Sequence, residues 1–323
     1  GNLGKLDKDG IYIGVTATPG RLDLNNTYFN DTRHWIFLDS HENYKGRKFF
    51  FPLKKSISNE DKYNLVLLPD EGDDPIHLRK SILRYLLRAA KLYIDTCKKY
   101  SMLIHTAGKT QDHREDQKDV NKVLFDIVEK KERILEELIE QGLEIFSKDS
   151  DLIIKLVHFI SEHIQQRQVL IINSKNDRVN VEKASNPKCI FNFLIGGNIV
   201  SRGLTFERLL TFFFSRGVKG KLQQNTYIQR ARMFGNRAYA KHFELCIPES
   251  LFENWADCFQ DHELSLRIAK SGNEMIHVQS KKNSAADSAS IDKANTIISK
   301  GERNVGEIFD LTNTLKEQLL SPC

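Results

Sequence analysis

Long apolar runs are missing from this 323-residue chain. No stretch approaches the roughly 18 consecutive apolar residues that mark a membrane-spanning helix, and Gly1-Asn2-Leu3-Gly4-Lys5 lacks the apolar core of a secretory signal. Membrane and secreted classes are therefore not expected. Cysteine is scarce: Cys97, Cys189, Cys246, Cys258 and Cys323 are odd in number, scattered and never in a Cys-x-x-Cys pair. That argues against a disulfide framework or a cysteine zinc site and favours a reducing, cytoplasmic setting with no metal centre. No repeat of 20 to 50 residues stands out. Strong charge of one sign is lacking too, since 48 basic residues face 43 acidic ones for a net charge of +5, a weak field over so large a surface.

What is present is a globular composition, 40% hydrophobic and 28% charged, with length for about two domains of roughly 150 residues each. Ile11–Val15 reads as a strand ending in Thr16-Ala17-Thr18-Pro19-Gly20, and His34–Leu38 and Tyr63–Leu68 as two more. A helix is expected behind Pro75, capped by Asp74. Its apolar stripe is Leu78, Ile82, Leu86, Ala89 and Tyr93, and Arg79, Lys80, Arg84, Arg88 and Lys91 are expected on a basic outer face. Ser101–Thr106 is the next strand, followed by one charged helical stretch from Asp112 to Phe146 and another helix over Asp151–Gln165. Val169–Ile172, Ile190–Ile195, Leu209–Phe214 and Phe243–Ile247 complete a series of nearly continuous apolar strands separated by helices or loops. Such alternation predicts an α/β fold with a parallel sheet covered on both faces between about 75 and 250. Ser250–Ile268 reads as helix, Ser280–Ser290 as a linker by composition, and Val305–Leu320 as a last helix carrying Ile308, Leu311, Leu315 and Leu319.

Two segments concentrate chemistry. Gly196-Gly197-Asn198-Ile199-Val200-Ser201-Arg202-Gly203-Leu204-Thr205 follows a strand directly, and glycines at the carboxyl end of a parallel strand let backbone N–H groups approach an anion. A plain strand-to-loop turn would also use them. From Ser201 to His242, nine basic residues stand against the single acid Glu207, so the local excess outweighs the net charge of the whole chain. Gln229-Arg230-Ala231-Arg232-Met233-Phe234-Gly235-Asn236-Arg237 lies within it. Converging arginines suit phosphoryl transfer or a nucleic-acid backbone, though a solvated basic helix has the same look.

In order and kind, these segments resemble motifs of superfamily 2 helicases: Gly14-Val15-Thr16-Ala17-Thr18-Pro19 resembles motif III, Gly196 to Thr205 motif V, and Gln229 to Arg237 motif VI. With Ser101-Met102-Leu103-Ile104-His105 they resemble more closely the bacterial Z-one domain, a helicase-like module described as endonuclease-associated and found in motors of ATP-dependent restriction and phage-defence systems. Ala231 stands where glycine is usual, Asn236 where an aromatic is usual, and Ala107-Gly108 where Ser-Arg usually follows the motif IV strand. The resemblance implies a RecA-like parallel sheet with helices on both faces, a helical insertion and a helical C-terminal tail. It divides the chain into residues 1–70, the end of a first RecA-like lobe and a connection; 71–250, a second lobe with the insertion at 112–168; and 251–323, the tail.

A phosphate-cradling loop is missing. Gly108-Lys109-Thr110 is the only Gly-Lys-Thr, but Leu103 occupies the place of the first loop glycine, and no Walker-B acid accompanies it. The resemblance places both elements upstream of Thr16, so ATP and Mg²⁺ are expected only together with a first lobe. It implies Arg232 and Arg237, with Gln229, as the catalytic group. Gly196, Gly197, Ser201, Arg202, Gly203 and Arg230 would meet nucleotide, Thr16 and Thr18 would couple lobe closure, and His105, Thr106 and Thr205 would face nucleic acid. DNA, the upstream lobe and a nuclease subunit are the expected partners, and no membrane is. Two other classes remain open. One is an endonuclease, from a forced pattern of Asp70 with Glu129-Lys130-Lys131 or a metal suggested by His105, Asp112 and His113. The other is a non-catalytic interaction scaffold.

Overall fold

The computed structural model describes residues 15, 16, 18, 36–52, 63–70, 74–106, 110–147, 149–172, 178–197, 206–215, 221–271 and 276–285. The chain divides into two compact units, one of Leu38–Leu222 with Tyr227–Ala256, the other of Gly1–Phe37 with Gln223–Thr226 and Asp257–Cys323.

The first unit is built on a parallel sheet of β1 (Asn64–Leu68), β2 (Tyr100–His105), β3 (Arg167–Ile172), β4 (Phe191–Gly196), β5 (Leu209–Phe214) and β6 (Glu244–Pro248). Their order across the sheet is β1-β6-β5-β2-β4-β3, every neighbouring pair parallel. From β2 the chain moves to one side through β3 and β4, then to the other through β5 and β6. The strand order thus reverses around β2, the place where open α/β sheets bind ligands. Helices α1 (Pro75–Thr96), α2 (Thr110–Val128), α3 (Glu132–Ile145) and α4 (Ser150–His163) pack with one face of the sheet in a single apolar core. Met102, Ile104, Phe193, Ile195, Phe213 and Cys246 supply the strand side of that core. Leu103, Leu194, Phe212 and Leu245 alternate with them and are buried as well, so both faces are covered, as uninterrupted apolar strands require. On the second face Trp255, from α7 (Glu249–Lys270), lies 5.0 Å from the Phe214 ring and 6.5 Å from Phe51. This is the parallel α/β fold that the alternation of strands and helices predicts, consistent with the RecA-like type that the resemblance implies.

Local chemistry explains the elements. Asp74 accepts the Ile76 N–H at 2.9 Å with Pro75 behind it in the first turn, and Cys97 closes α1 with a positive φ of 56°. The single helix expected from Asp112 to Phe146 is two, because Lys130 turns into the left-handed region at φ 51° and Lys131 becomes the N-cap of α3. No glycine or proline marks that break. Of the strand expected at His34–Leu38, residues 36–38 are described and form no strand. β1 pairs with β6 from Asn64↔Glu244 to Leu68↔Pro248, so the sheet starts before residue 71, where the resemblance placed the lobe boundary.

The basic outer face expected of α1 needs correction. Arg84 and Arg88 are buried and converge on Glu244, which has no solvent exposure. Arg84 donates to its two oxygens at 2.8 and 3.2 Å, and Arg88 donates to Oε2. A carboxylate inside the sheet draws the guanidiniums inward, because a buried charge must be paired.

In the second unit, α6 (Gln224–Arg230) begins and the chain returns at residues 257–285. Gln224 Nε2 donates to Val278 O at 2.7 Å and to Asn283 Oδ1 at 2.8 Å, and Asn283 Nδ2 donates to Asp261 Oδ2 at 2.8 Å. Asn283 is wholly buried, so the start of the stretch expected to be a linker, up to Ala285, is packed structure. The expected strand at Ile11–Val15 falls outside the described residues but for its last, and the helix at Val305–Leu320 falls outside them altogether. Among the described residues no helix is long and apolar enough to cross a membrane.

Candidate functional site

The carboxyl edge of the sheet brings together His105 and Thr106 at the end of β2 and Gly196 and Gly197 at the end of β4, two strands in direct pairing. Thr106 Oγ1 donates to Asp116 Oδ2 at 2.5 Å, tying α2 to the end of β2. The His105 ring is 2% exposed and stacks on Phe214 at 4.8 Å, which makes it a packed wall of this edge. His113 is buried on α2, and no group of three His, Cys, Asp or Glu among the described residues could hold a metal. Asp70 of the forced nuclease pattern accepts the Ser250 N–H at 3.0 Å, while Glu129 and Lys130 lie in the turn between α2 and α3.

The arginine segment sits elsewhere. At the end of α6, Arg230 lies with its guanidinium 4.8 Å from the Tyr227 ring centre, a cation–π contact. Ala231 is buried and Arg232 half-buried; burial pulls the Arg232 guanidinium down to about 10, still charged at neutral pH. Arg237 is 3% exposed and donates to backbone on two sides. Its Nη1 reaches Phe206 O at 2.7 Å and Glu207 O at 2.9 Å, its Nη2 reaches Arg232 O at 3.0 Å, and its Nε reaches Met233 O at 3.2 Å. Tyr239, whose hydroxyl lies 3.3 Å from Arg237 Nη1 and 3.0 Å from both Glu207 O and Leu209 O, completes the cluster. Burial, partly offset by the Arg237 charge, pushes that phenol up to about 12.

Phe206 and Glu207 precede the first residue of β5, and Tyr239 packs 4.7 Å from Tyr100, the first residue of β2. Phe234 packs on Phe50 at a ring distance of 5.8 Å, and Phe50 on Phe243, just before β6 begins, at 5.4 Å. The turn from Phe234 to Tyr239 therefore stands at the amino edge of the sheet. A six-residue strand rises about 20 Å, so the Arg237 guanidinium and the Gly196-Gly197 turn lie at opposite ends of the strands. The structure thus joins Arg237 to Phe206 and Glu207, just ahead of β5, and not to the Gly196-Gly197 turn. Ser201, Arg202, Gly203 and Thr205 lie outside the described residues. Gln229 is half-buried on α6. Thr16 and Thr18 belong to the other unit, where the Thr18 N–H donates to Thr16 Oγ1 at 3.0 Å.

Gly235 permits this turn. Its φ is +146°, and a Cβ there would lie 3.6 Å from Arg237 Nη2. Backbone pairing of Gly235 and Asn236 with Lys45 and Tyr44 holds it from a further side.

Sequence reasoning missed Phe206, Glu207 and Tyr239 as partners of Arg237, because backbone acceptors leave no mark on residue type. It missed Glu244 despite an available signal: one acid beside Leu245-Cys246-Ile247 in an apolar strand demands a buried partner.

Fold and site together define a RecA-like α/β unit with a glycine-bearing strand end at one edge of its sheet and an arginine turn at the other. The family model of the Z1 domain, the Z-one domain of the resemblance, matches residues 77–285, and the chain belongs to that family. Comparisons with curated proteins and with solved structures found no match.

Proposed function

We propose that this chain is the second motor lobe of an ATP-dependent, superfamily 2 helicase-like DNA translocase, of the kind that serves restriction or phage defence beside a nuclease subunit. A nucleotide-binding first lobe would hold Mg²⁺ and the phosphate loop. The observation that carries the reading is the Arg232 turn. It places a half-buried arginine, whose charge burial disfavours, on a backbone fixed by Arg237. A guanidinium whose backbone is held in this way offers a fixed, charged fork to phosphate oxygens.

ATP supplies the phosphoryl group and the free energy of its hydrolysis when bound between lobes. This chain's part is electrostatic: Arg232 neutralises charge that builds on the transferring group, with Gln229 and Arg230 on the preceding helix as its neighbours in sequence. Membership in the Z1 family fits an endonuclease-associated motor, and the basic excess from Ser201 to His242 fits DNA phosphates.

The test is Arg232→Ala and Arg232→Lys in the assembled motor. We expect DNA-stimulated ATP hydrolysis to fall at least about a hundredfold in both, arginine fingers contributing about 10³ to 10⁵ in turnover, with ATP affinity changed only a few-fold. Unchanged turnover would remove Arg232 from the chemistry.

A further inference from the structure

Resting on that motor reading, we propose that Arg237 is a positioning residue: a brace that locks the Arg232 turn to Phe206 and Glu207 at the entry to β5, so that these two backbone pieces move as one. A phosphate-binding arginine keeps its fork open toward solvent or a cleft. The Arg237 fork is closed on protein, since Nε, Nη1 and Nη2 all donate and the side chain is 3% exposed. Its acceptors fall into two groups far apart in sequence. Arg232 O and Met233 O belong to the turn that carries Arg232, while Phe206 O and Glu207 O lead into β5.

Geometry makes guanidinium the group that can do this. Four carbonyls around one planar ion need donors fixed in several directions, which arginine supplies and the single compact ammonium of lysine does not. Gly235 at φ +146° lets the turn fold back over the guanidinium, where a Cβ would lie 3.6 Å from Nη2 and 3.7 Å from Cζ. Displacement of Arg232 by a ligand is thereby delivered to Phe206 and Glu207 at the start of β5. Arg237 acts through Arg232 and touches no substrate.

Hydrogen exchange and steady-state kinetics on the assembled motor test this with Arg237→Ala, Arg237→Lys and Tyr239→Phe. In both Arg237 variants, amides in 206–210 and in 231–236 are expected to exchange at least tenfold faster together, while α1 keeps its protection. The kcat for ATP is expected to fall at least tenfold with KM within threefold, and Lys is expected to be no better than Ala. Tyr239→Phe, which leaves Arg237 in place, is expected to show the same pairing of segments with a smaller effect, and it carries the test if the Arg237 variants do not fold. Faster exchange in one segment alone, unchanged exchange in both, or a KM raised tenfold with exchange unchanged overturns the brace. A wild-type motor that hydrolyses no ATP overturns the preceding reading instead, and the exchange measurements then decide the brace by themselves.

Discussion

Two arginine sites at the amino edge of one sheet bury the same ion in different ways. Arg84 and Arg88 meet a carboxylate, the Glu244 side chain; Arg237 meets four carbonyls and a phenol. In the first site a full negative charge offsets the desolvation of two cations, and Gln141, Ser81 and Cys246 satisfy the remaining atoms. Removing either charge leaves an unpaired ion in the interior, so stability hangs on it. In the second, partial charges spread over two backbone segments do the work. Such a site depends less on one partner than on the positions of many, and it reports chain geometry more than ionisation.

The sharpest way to break the comparison is Glu244→Gln. It leaves Arg84 and Arg88 without a counter-charge and should cost about 3–5 kcal/mol, read as a drop in the midpoint of urea unfolding. A cost near zero would show the pair to be as tolerant as the carbonyl site.

Acid should separate the two sites next. Burial raises the Glu244 pKa, but the Arg88 and Arg84 charges together outweigh it and hold the carboxyl at about 2, below its ordinary 4.5. A depressed folded-state pKa contributes stability above the unfolded value and loses it as pH falls through the folded one. Stability should therefore decline between pH 4.5 and 2, by on the order of 3 kcal/mol at full protonation. The Arg237 acceptors do not titrate in that window, Tyr239 lying at about 12. Denaturant unfolding across that range checks this; a flat profile from 4.5 to 2 would show that Glu244 titrates as it does in the unfolded chain.

The smallest expected effect strikes the carbonyl site alone. Gly235→Ala forces a side chain onto a backbone at φ +146°, a strain of about 1–3 kcal/mol, and should loosen 231–236 in hydrogen exchange while the Glu244 cluster keeps its acid profile. Equal loosening of α1 would mean the two sites are coupled.

Most of the sheet was legible in the sequence because buried parallel strands are written as continuous apolar runs; Leu209–Phe214 matches to the residue and Asp74 caps α1 as its position before Pro75 predicts. Segmentation by φ was not legible. Lys130 breaks a charged helix with no residue-type signal, and its neighbours are as helical in preference as any. The candidate site was legible by kind but not by place. Arginines announce phosphate, whereas the carbonyls that claim Arg237 belong to residues of any type. Composition also misled at Ser280, where small polar residues are a buried hydrogen-bonded network around Asn283.

The edge position of β1 bears on where this chain can be cut. The family match begins at residue 77, but β1, the Asp74 cap and the Tyr63 ring that packs on Phe50 all lie before it. A fragment started at the family boundary would strip β6 of its outer neighbour and lay bare a ladder of unpaired amides beside the Glu244 cluster, a template for pairing with other copies. Recombinant versions that begin ahead of Leu38 keep that seam closed.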